Sequence, residues 1–563
     1  MGNRQRQIGR GLAALGALAA ILWAGAGAGV SGAAAARATD VRTAALVAAT
    51  GLPAVPCGSL TSLVLANTVI NSAVDTPAGT VPGVFPGAPP TPVVETCRVH
   101  ATVTSPGVND QIGVDVWMPV SGWNGRFQGV GGGGYSTGNP NSLAGPVDAG
   151  FSAAVTDGGH TGTSSFTGSF ALNSSGRLNW PLIEDFSYRG LHDLAVVGKA
   201  VTAAFYGTAA SFSYWNGCST GGRQGLAEAQ RYPTDYNGIL SAAPAINWQK
   251  FIPAELWPEL VMLRGGDVLP QCKLLAFQTA AINVCDKVGD GVVDGVIGDP
   301  LSCKFDPATL VGTDTPCGPI TAQDAAIVAR IVAGPRTTDG TFLWYGLTWG
   351  TSFSGLANTT TSGSTTVPAP FPIALAHLGT WVQENPPVSL GGTWDWTTTT
   401  FDQYDQLFQQ SVEMYSTVIG TDNPDLRAFK RAGGKLVIWH GLADQLIFPQ
   451  GSINYYQRVE ETLGGVGRTR DFARLFLAPG VAHCAGGPGP QPDSPLNAVM
   501  DWVEHGKAPE TLSGVVRGPS GVTQTRPICL FPSVAVYKGH GDPTVASSFV
   551  CRVIEAEQAS NPD

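Results

Sequence analysis

The segment Gly217-Cys218-Ser219-Thr220-Gly221 has the Gly-x-Ser-x-Gly spacing of a nucleophile elbow. In an elbow of this kind, a sharp turn between a strand and a helix exposes the serine hydroxyl above an α/β-hydrolase sheet. Because the chain contains 73 glycines, the spacing alone can arise by chance. The motif therefore needs support from other residues.

Two cysteines provide that support, since each neighbours a residue that serine-dependent hydrolysis requires. Cys218 precedes Ser219, and Cys484 follows His483. A disulfide between the two cysteines would hold their Cα atoms about 4.4–6.8 Å apart. We therefore expect the serine hydroxyl and the imidazole to lie within hydrogen-bonding reach.

Apolar segments on both sides of the motif predict the strands of one sheet. Residues 212–215 lead into the elbow, and residues 222–230 have the composition of the following helix. Strands that alternate with loops and helices favour a mostly parallel sheet. We predict an α/β protein with the α/β-hydrolase fold, with further strands at 126–130, 150–156, 435–439 and 473–477.

The composition changes between residues 248 and 425, where Gly, Pro, Thr and Trp predominate. We predict that this segment is a large lid domain, inserted into a catalytic domain formed by residues 39–247 and 426–563. Its tryptophans either line an aromatic pocket or pack the lid's own core, and both interpretations stay open. They are Trp248, Trp257, Trp344, Trp349, Trp381, Trp394 and Trp396.

Residues 1–38 have the pattern of a signal peptide. An arginine-containing start precedes an apolar stretch at 12–30, and Ala36-Arg37-Ala38 resembles a cleavage site. A retained membrane anchor is disfavoured because small residues dilute the apolar stretch. The ten cysteines, an even number, agree with export to an oxidising compartment. We predict a secreted protein, extracellular or periplasmic, without membrane attachment after cleavage.

The charge of the chain argues against one class of partner. There are 42 acidic against 32 basic residues, and 13% of all residues are charged. This composition offers no basic stripe suited to nucleic acid. We predict a small-molecule substrate as the partner, and the sequence leaves the oligomeric state open.

Three residues follow the chain order serine, acid, histidine of α/β-hydrolases: Ser219, Asp444 and His483. Asp444 comes after the predicted strand at 435–439, and His483 lies in the loop after the strand at 473–477. We predict that Ser219 is the nucleophile, that His483 is its base and that Asp444 orients the imidazole.

Rival residues fit these roles less well. His160 lies too early in the chain, and we expect it to make structural hydrogen bonds near the floor of the site. His440 ends a strand ahead of Asp444, and we expect it to have a packing role. Asp422 and Asp425 lie in the segment that leaves the lid rather than after a strand.

An oxyanion hole needs N–H donors beside the nucleophile. We predict Thr220, the residue after Ser219, as one donor. The second donor is expected from the glycine run at 131–134, at Gly132 or Gly133, because backbone without Cβ atoms can approach a substrate closely. The alternative is that the run is only a flexible loop.

These residues resemble the motifs of the tannase and feruloyl esterase family, which also contains mono(2-hydroxyethyl) terephthalate hydrolase. The resemblance rests on Cys-Ser and His-Cys paired around an Asp, covers about residues 57–551, and extends to the segments 124–127 and 156–160. It implies a secreted carboxylic ester hydrolase that acts on esters of hydroxycinnamic or gallic-type aromatic acids through an acyl-enzyme.

The resemblance also implies a structural Ca²⁺ site in the lid. The segment 285–296 matches the family's calcium loop, which would supply three carboxylates and two backbone carbonyls to the ion. Three residues separate its first two aspartates, where the family pattern has two. Without the resemblance, such an acidic glycine-rich loop is read as a solvated turn. The implied ligands are Asp286, Asp290, Val292, Asp294 and Val296.

The same resemblance implies a set of disulfides. The implied pairs are Cys57 with Cys97, Cys218 with Cys484, Cys285 with Cys303, and Cys529 with Cys551, which leaves Cys272 with Cys317.

Within the family, a feruloyl esterase or tannase activity ranks above terephthalate chemistry. A terephthalate monoester has a free carboxylate that needs a cation, and the lid arginines Arg264, Arg330 and Arg336 lie in no recognisable motif. Ile447 stands where the terephthalate enzyme carries an aromatic clamp. An acyltransferase with the same triad stays open, whereas a protein without activity is disfavoured because all three triad residues are present.

Overall fold

The structure, a computed structural model, describes residues 51–84, 88–108, 110–161, 165–363, 365–519 and 521–554. Within these ranges, nine strands form the central sheet. They are β1 (Thr68–Thr76), β2 (Thr96–Val103), β3 (Ile112–Pro119), β4 (Arg126–Val130), β5 (Ser152–Thr156), β6 (Phe212–Cys218), β7 (Gly238–Ala242), β8 (Lys435–Gly441) and β9 (Ala473–Ala478). The predicted signal peptide lies outside the described residues.

The sheet is mostly parallel. Its order is β1-β2-β3-β5-β4-β6-β7-β8-β9. The first three strands are antiparallel to their neighbours, and the six from β5 to β9 run parallel to one another. The predicted α/β-hydrolase fold is confirmed. Four of the five predicted strands agree with their observed bounds to within two residues at both ends, and the fifth, predicted at 212–215, extends to Cys218.

Helices connect the parallel strands and extend through the inserted segment. The longer ones are α1 (Gly190–Tyr206), α2 (Thr220–Arg231), α3 (Trp248–Glu255), α4 (Trp257–Gly265), α5 (Gln271–Cys285), α6 (Ala322–Ala333), α7 (Phe401–Tyr415), α8 (Pro449–Leu463) and α9 (Pro495–His505). Short helices lie at Ala144–Asp148, Trp180–Glu184, Pro372–Ala376, Arg427–Arg431 and Val466–Arg470. Among the described helices, none is long and apolar enough to cross a lipid bilayer.

Smaller antiparallel strand pairs lie outside the central sheet. They are formed by Gly79–Val81 with Thr91–Val93, Asp314–Thr315 with Gly318–Pro319, Thr359–Ser362 with Thr365–Pro368, and Ser533–Tyr537 with Phe549–Val553. A three-stranded sheet contains Gln491–Pro492, Thr511–Gly518 and Gly521–Cys529.

The parallel strands form because they can be buried on both faces. All residues of β5 and β7 are buried, as are those of β8 after Lys435. Strands covered by helices on both sides read as continuous apolar runs, which is the pattern of Leu436, Val437, Ile438 and Trp439 in β8. The loops at the carboxyl ends of these strands are therefore held by a rigid core.

The segment 248–425 enters the fold between two neighbouring strands. It leaves after β7 and returns before β8, which pairs directly with β7. The segment supplies most of one hydrophobic cluster, in which five of its tryptophans are buried and Trp349 and Trp394 pack against the others. Packing of the lid's own core thus accounts for most of its tryptophans. The boundaries 39–247, 248–425 and 426–563 stay a prediction.

In the part of the chain that the structure describes, five disulfides pair all ten cysteines. Each pairing agrees with the one implied by the family resemblance: Cys57–Cys97, Cys218–Cys484, Cys272–Cys317, Cys285–Cys303 and Cys529–Cys551.

Candidate active site

Ser219 lies on a sharp turn between β6 and α2. Its φ of 62° is in the left-handed region, which a residue with a side chain adopts only at some cost. The Ser219 N–H donates to the carbonyl of Ala242 at the end of β7, at 3.0 Å. A Cβ atom on Gly217 would lie 2.5 Å from the backbone of Gly221, so this turn requires glycine there. The segment thus has the geometry of a nucleophile elbow.

Asp444 and His483 are hydrogen-bonded to each other. His483 Nδ1 lies 2.8 Å from Asp444 Oδ2. The other carboxylate oxygen, Oδ1, accepts the N–H groups of Leu446 and Ile447, both at 2.9 Å. Burial alone would raise the pKa of Asp444, but the charge of His483 and the hydrogen bonds from two imidazoles hold this pKa well below its ordinary value. Asp444 is therefore a carboxylate at neutral pH, able to orient an imidazole.

The second imidazole is that of His440, which the sequence analysis assigned only to packing. His440 Nε2 lies 3.1 Å from Asp444 Oδ2, and Nδ1 lies 2.8 Å from the hydroxyl of Ser452. The ring is fully buried. His440 is therefore a positioning residue for the carboxylate, and the packing interpretation was incomplete.

The disulfide Cys218–Cys484 joins the elbow to the histidine loop. Its Cα atoms are 5.8 Å apart, within the range expected from the sequence. Ser219 and His483 line one cavity together with Thr220 and Gly134. The structure thus brings the three predicted triad residues to the same edge of the sheet.

The glycine run approaches the elbow, but the two N–H groups predicted as oxyanion donors, those of Gly132 and Gly133, already have acceptors within the protein. Gly132 N–H donates to Gln224 Oε1 at 3.0 Å, and Gly133 N–H donates to the carbonyl of Ser136 at 3.1 Å. Neither group is free for a substrate oxygen. Gly134 lines the cavity, and its N–H makes no hydrogen bond within the described residues.

Thr220 and Gly134 are held together. The Thr220 hydroxyl donates to the Gly134 carbonyl at 2.7 Å. Thr220 is also the first residue of α2, where backbone N–H groups have no partner within the helix. These two residues therefore offer a pair of backbone donors at one end of the cavity.

The remaining wall of the cavity is largely apolar. Among the described residues, Glu255 is the single acid in this wall, and neither lysine nor arginine lines it. The apolar contributors are Ala245, Trp248, Phe251, Ile252, Phe371, Ile373, Leu446 and Ile447. Such a wall suits an aromatic or aliphatic group beside the nucleophile.

The rival residues lie elsewhere. His160 is buried against Phe170, and its ring nitrogens face the carbonyls of Tyr135 and Gly158 at 2.9 and 3.2 Å, which confirms the expected structural role. Asp422 pairs with Arg458, and Asp425 pairs with Arg427.

The predicted calcium loop does not form a metal shell in this structure. Asp290 Oδ2 and Asp294 Oδ2 both accept from the guanidinium of Arg526, at 2.7 and 2.8 Å. Asp286 Oδ1 accepts the N–H groups of Asp294 and Gly295 at 3.2 and 3.0 Å. Among the described residues, no three acidic, histidine or cysteine side chains are grouped to hold a metal ion. Calcium stays a prediction that the donor set, as placed, does not fit.

A protein-family model for tannase and feruloyl esterase matches residues 97–552, which is more than half of the chain. The chain belongs to the tannase and feruloyl esterase family. As a member of this family, it is a carboxylic ester hydrolase.

Known family members resemble this esterase over most of their length. A probable feruloyl esterase of Arthroderma benhamiae is 43% identical, and the match covers 83% of this chain and 88% of the relative. Mono(2-hydroxyethyl) terephthalate hydrolase of Piscinibacter sakaiensis is 31% identical over 77% and 80% of the two chains. The crystal structure of feruloyl esterase B from Aspergillus oryzae superposes with a TM-score of 0.76 at 28% identity, covering 88% of this chain and 99% of that one.

Removing the Cys218–Cys484 disulfide should lower kcat as well as Tm, because this disulfide positions the proposed nucleophile and base. A displacement of about 1 Å between nucleophile and base can cost about 100-fold, so we expect the double variant Cys218→Ala/Cys484→Ala to lose about that factor in kcat. The measurement is kcat on p-nitrophenyl acetate, with Tm recorded in parallel. The matched control, Cys57→Ala/Cys97→Ala, should lower Tm and leave kcat unchanged. Equal loss of kcat in both double variants would contradict this role.

His440→Ala should lower kcat because it removes one of the two imidazoles from Asp444. A hydrogen bond to a charged group contributes about 1.5–3 kcal/mol, which corresponds to about 10- to 150-fold in rate. The measurement is kcat on the same ester. His377→Ala, which removes an equally buried histidine from the lid core, should lower Tm without this loss. A His440→Ala variant with a lowered Tm and the wild-type kcat would show that His440 only packs the core and does not position Asp444.

Proposed function

We propose that the chain hydrolyses carboxylic esters of aromatic hydroxy acids through Ser219, His483 and Asp444. The observation that carries this proposal is the Asp444–His483 hydrogen bond beside an elbow serine, with serine and histidine in one cavity. The disulfide next to both residues holds nucleophile and base in register.

In the first step, His483 takes the proton of the Ser219 hydroxyl as the serine oxygen attacks the ester carbonyl. Nδ1 is hydrogen-bonded to Asp444, so Nε2 is the nitrogen that serves as base. The tetrahedral oxyanion accepts the N–H groups of Thr220 and Gly134. Each such donor contributes about 100- to 1000-fold in rate.

In the second step, His483 returns the proton to the leaving alcohol, and an acyl-enzyme on Ser219 remains. The same imidazole then activates water, which releases the acid and restores the serine. Asp444 keeps the imidazole in the required tautomer and stabilises its protonated form throughout.

We assign an aromatic acyl group because the cavity beside Ser219 is lined by aromatic and branched side chains. Two relatives named feruloyl esterases agree with this assignment. A terephthalate monoester is disfavoured since no lysine or arginine in the described part of the chain lines the cavity. Arg264 donates to the carbonyls of Thr399 and Thr397, and Arg330 packs over Trp257. Arg336 donates to the carbonyl of Gly340.

Secretion is part of the proposal. Five disulfides are stable in an oxidising compartment, which agrees with a signal peptide at residues 1–38.

Ser219→Ala should lower the hydrolysis of methyl ferulate and methyl gallate by at least about 1000-fold, because loss of the nucleophile leaves only binding and the oxyanion hole. The measurement is kcat/KM on these esters and on mono(2-hydroxyethyl) terephthalate. Ser62→Ala, on the exposed surface, is the control and should be unaffected. Wild-type rates in Ser219→Ala would refute the mechanism, and a preference for the terephthalate ester would refute the assigned acyl group.

A further inference from the structure

Glu255, the last residue of α3, has a buried carboxyl group, one oxygen of which has no hydrogen-bond partner within the described residues. The residue is 2% exposed. Its Oε2 accepts or donates no hydrogen bond within the described residues. Glu255 nevertheless lines the same cavity as Ser219 and His483. An unpaired buried polar group is costly, so a group of this kind beside a nucleophile points to a ligand that completes it.

The surroundings of this carboxyl group favour its neutral form. Burial and, to a smaller degree, the charge of Asp444 raise the pKa of Glu255 well above its ordinary value. A protonated carboxyl has one donor and one carbonyl acceptor. It can therefore bind a hydroxyl group that both donates and accepts.

One face of α3 supplies four residues of the cavity wall. Trp248, Phe251, Ile252 and Glu255 follow the spacing i, i+3, i+4 and i+7, which places them on the same side of a helix. The indole Nε1 of Trp248 is also buried and has no partner within the described residues. This face thus combines a flat apolar surface with two unpaired polar groups.

On the basis of the function proposed above, we propose that Glu255 binds the ring hydroxyl of the acyl group and thereby restricts the enzyme to esters of phenolic acids. The aromatic ring packs against Trp248, Phe251 and Ile252. The carbonyl oxygen of the Glu255 carboxyl accepts a hydrogen bond from the phenolic O–H. The carboxyl O–H donates to the oxygen of the neighbouring methoxy or hydroxyl substituent. A site built to bind a hydroxyl group strongly disfavours analogues that lack it.

The test compares methyl ferulate with methyl 3,4-dimethoxycinnamate, whose ring has no hydroxyl, and with methyl cinnamate. The wild type should favour the phenolic ester by at least about 10-fold in kcat/KM. In Glu255→Leu this ratio should fall to about one, and Glu255→Gln, which can still form hydrogen bonds, should keep part of it. Measurable turnover of p-nitrophenyl acetate by each variant shows that the triad is assembled.

Glu259→Gln is the matched control. Glu259 is an equally buried glutamate one turn further along, in α4, and does not line the cavity. Glu259→Gln should keep the wild-type ratio of kcat/KM between the phenolic ester and its analogues. An unchanged ratio in both Glu255 variants, or a wild type that cleaves all three esters equally, would overturn the role of Glu255 and leave the esterase mechanism standing. A wild type that cleaves none of these esters would refute the proposed function itself.

An independent observation concerns the predicted calcium loop. Arg526 lies on the strand Gly521–Cys529, and its side chain is 3% exposed. Its guanidinium bridges Asp290 and Asp294 and also stacks on the ring of Phe549, at 4.3 Å. The second oxygens of Asp290 and Asp294 accept the N–H groups of Val292 and Val296 at 3.0 and 3.1 Å.

The loop has one residue more between Asp286 and Asp290 than the family pattern, and the structure shows how this longer turn is accommodated. Gly289 lies between the first two aspartates, has a φ of 96°, and a Cβ there would lie 2.5 Å from the backbone N of Asp299. The longer turn is thus compatible only with glycine. Asp286 is directed to backbone N–H groups of the loop instead of to a position shared with the other two carboxylates.

We infer that the guanidinium of Arg526 takes the place of the calcium ion in this chain. It supplies positive charge and fixed donors to two of the carboxylates, and it ties the lid loop to the C-terminal strands. A buried pair of this kind is strongly destabilised when one partner is removed.

The test is made on the full mature chain purified without chelator. Elemental analysis should find no stoichiometric calcium, and EDTA should leave Tm unchanged. Arg526→Ala should lower Tm by at least about 3 °C, and excess calcium should restore part of the loss because the carboxylates then lack a cation. Arg517→Ala, which breaks an exposed pair with Asp493, should leave Tm unchanged. One calcium ion per wild-type chain, or a Tm that falls with EDTA, would overturn this inference.

Discussion

The carboxylate of Asp444 receives hydrogen bonds from two imidazoles and two backbone N–H groups, and the geometry of the site depends on this point. A buried charge is tolerable only when its lone pairs are satisfied. Here the donors come from β8 itself, from the turn that follows it and from the loop after β9. One ionised group thus holds together three segments that the sheet brings side by side.

A covalent bond adds to this electrostatic centre. Cys218 and Cys484 are 266 residues apart in sequence, yet they neighbour Ser219 and His483, the proposed nucleophile and base. The sheet alone places the ends of β6 and β9 at the same edge, but two strands lie between them. The disulfide spans this distance through the loops and removes the freedom that would otherwise separate hydroxyl from imidazole.

Local patterns in the sequence were enough to predict the strands and the elbow, because each depends on neighbouring residues. Contacts between distant segments were not accessible in this way. The hydrogen bond from the Gly132 N–H to Gln224 Oε1 engages one glycine of the run, and this partner lies 92 residues away in the sequence. The contact between His440 and Asp444 likewise depends on how the turn after β8 folds back on the strand. Arg526 lies 232 residues from Asp294, and the sequence of the acidic loop gives no indication that an arginine binds there.

The triad residues and the cavity wall beside them come from different elements of the fold, which has an evolutionary consequence. Ser219, Asp444 and His483 are held by strands and loops, whereas much of the neighbouring wall comes from the eight-residue helix α3. Substitutions on the cavity-facing side of α3 can alter which acid is bound, while the proposed proton transfer between Ser219 and His483 is unaffected. Substitutions in a single short helix would therefore be enough for relatives of this esterase to diverge in the acid that they release.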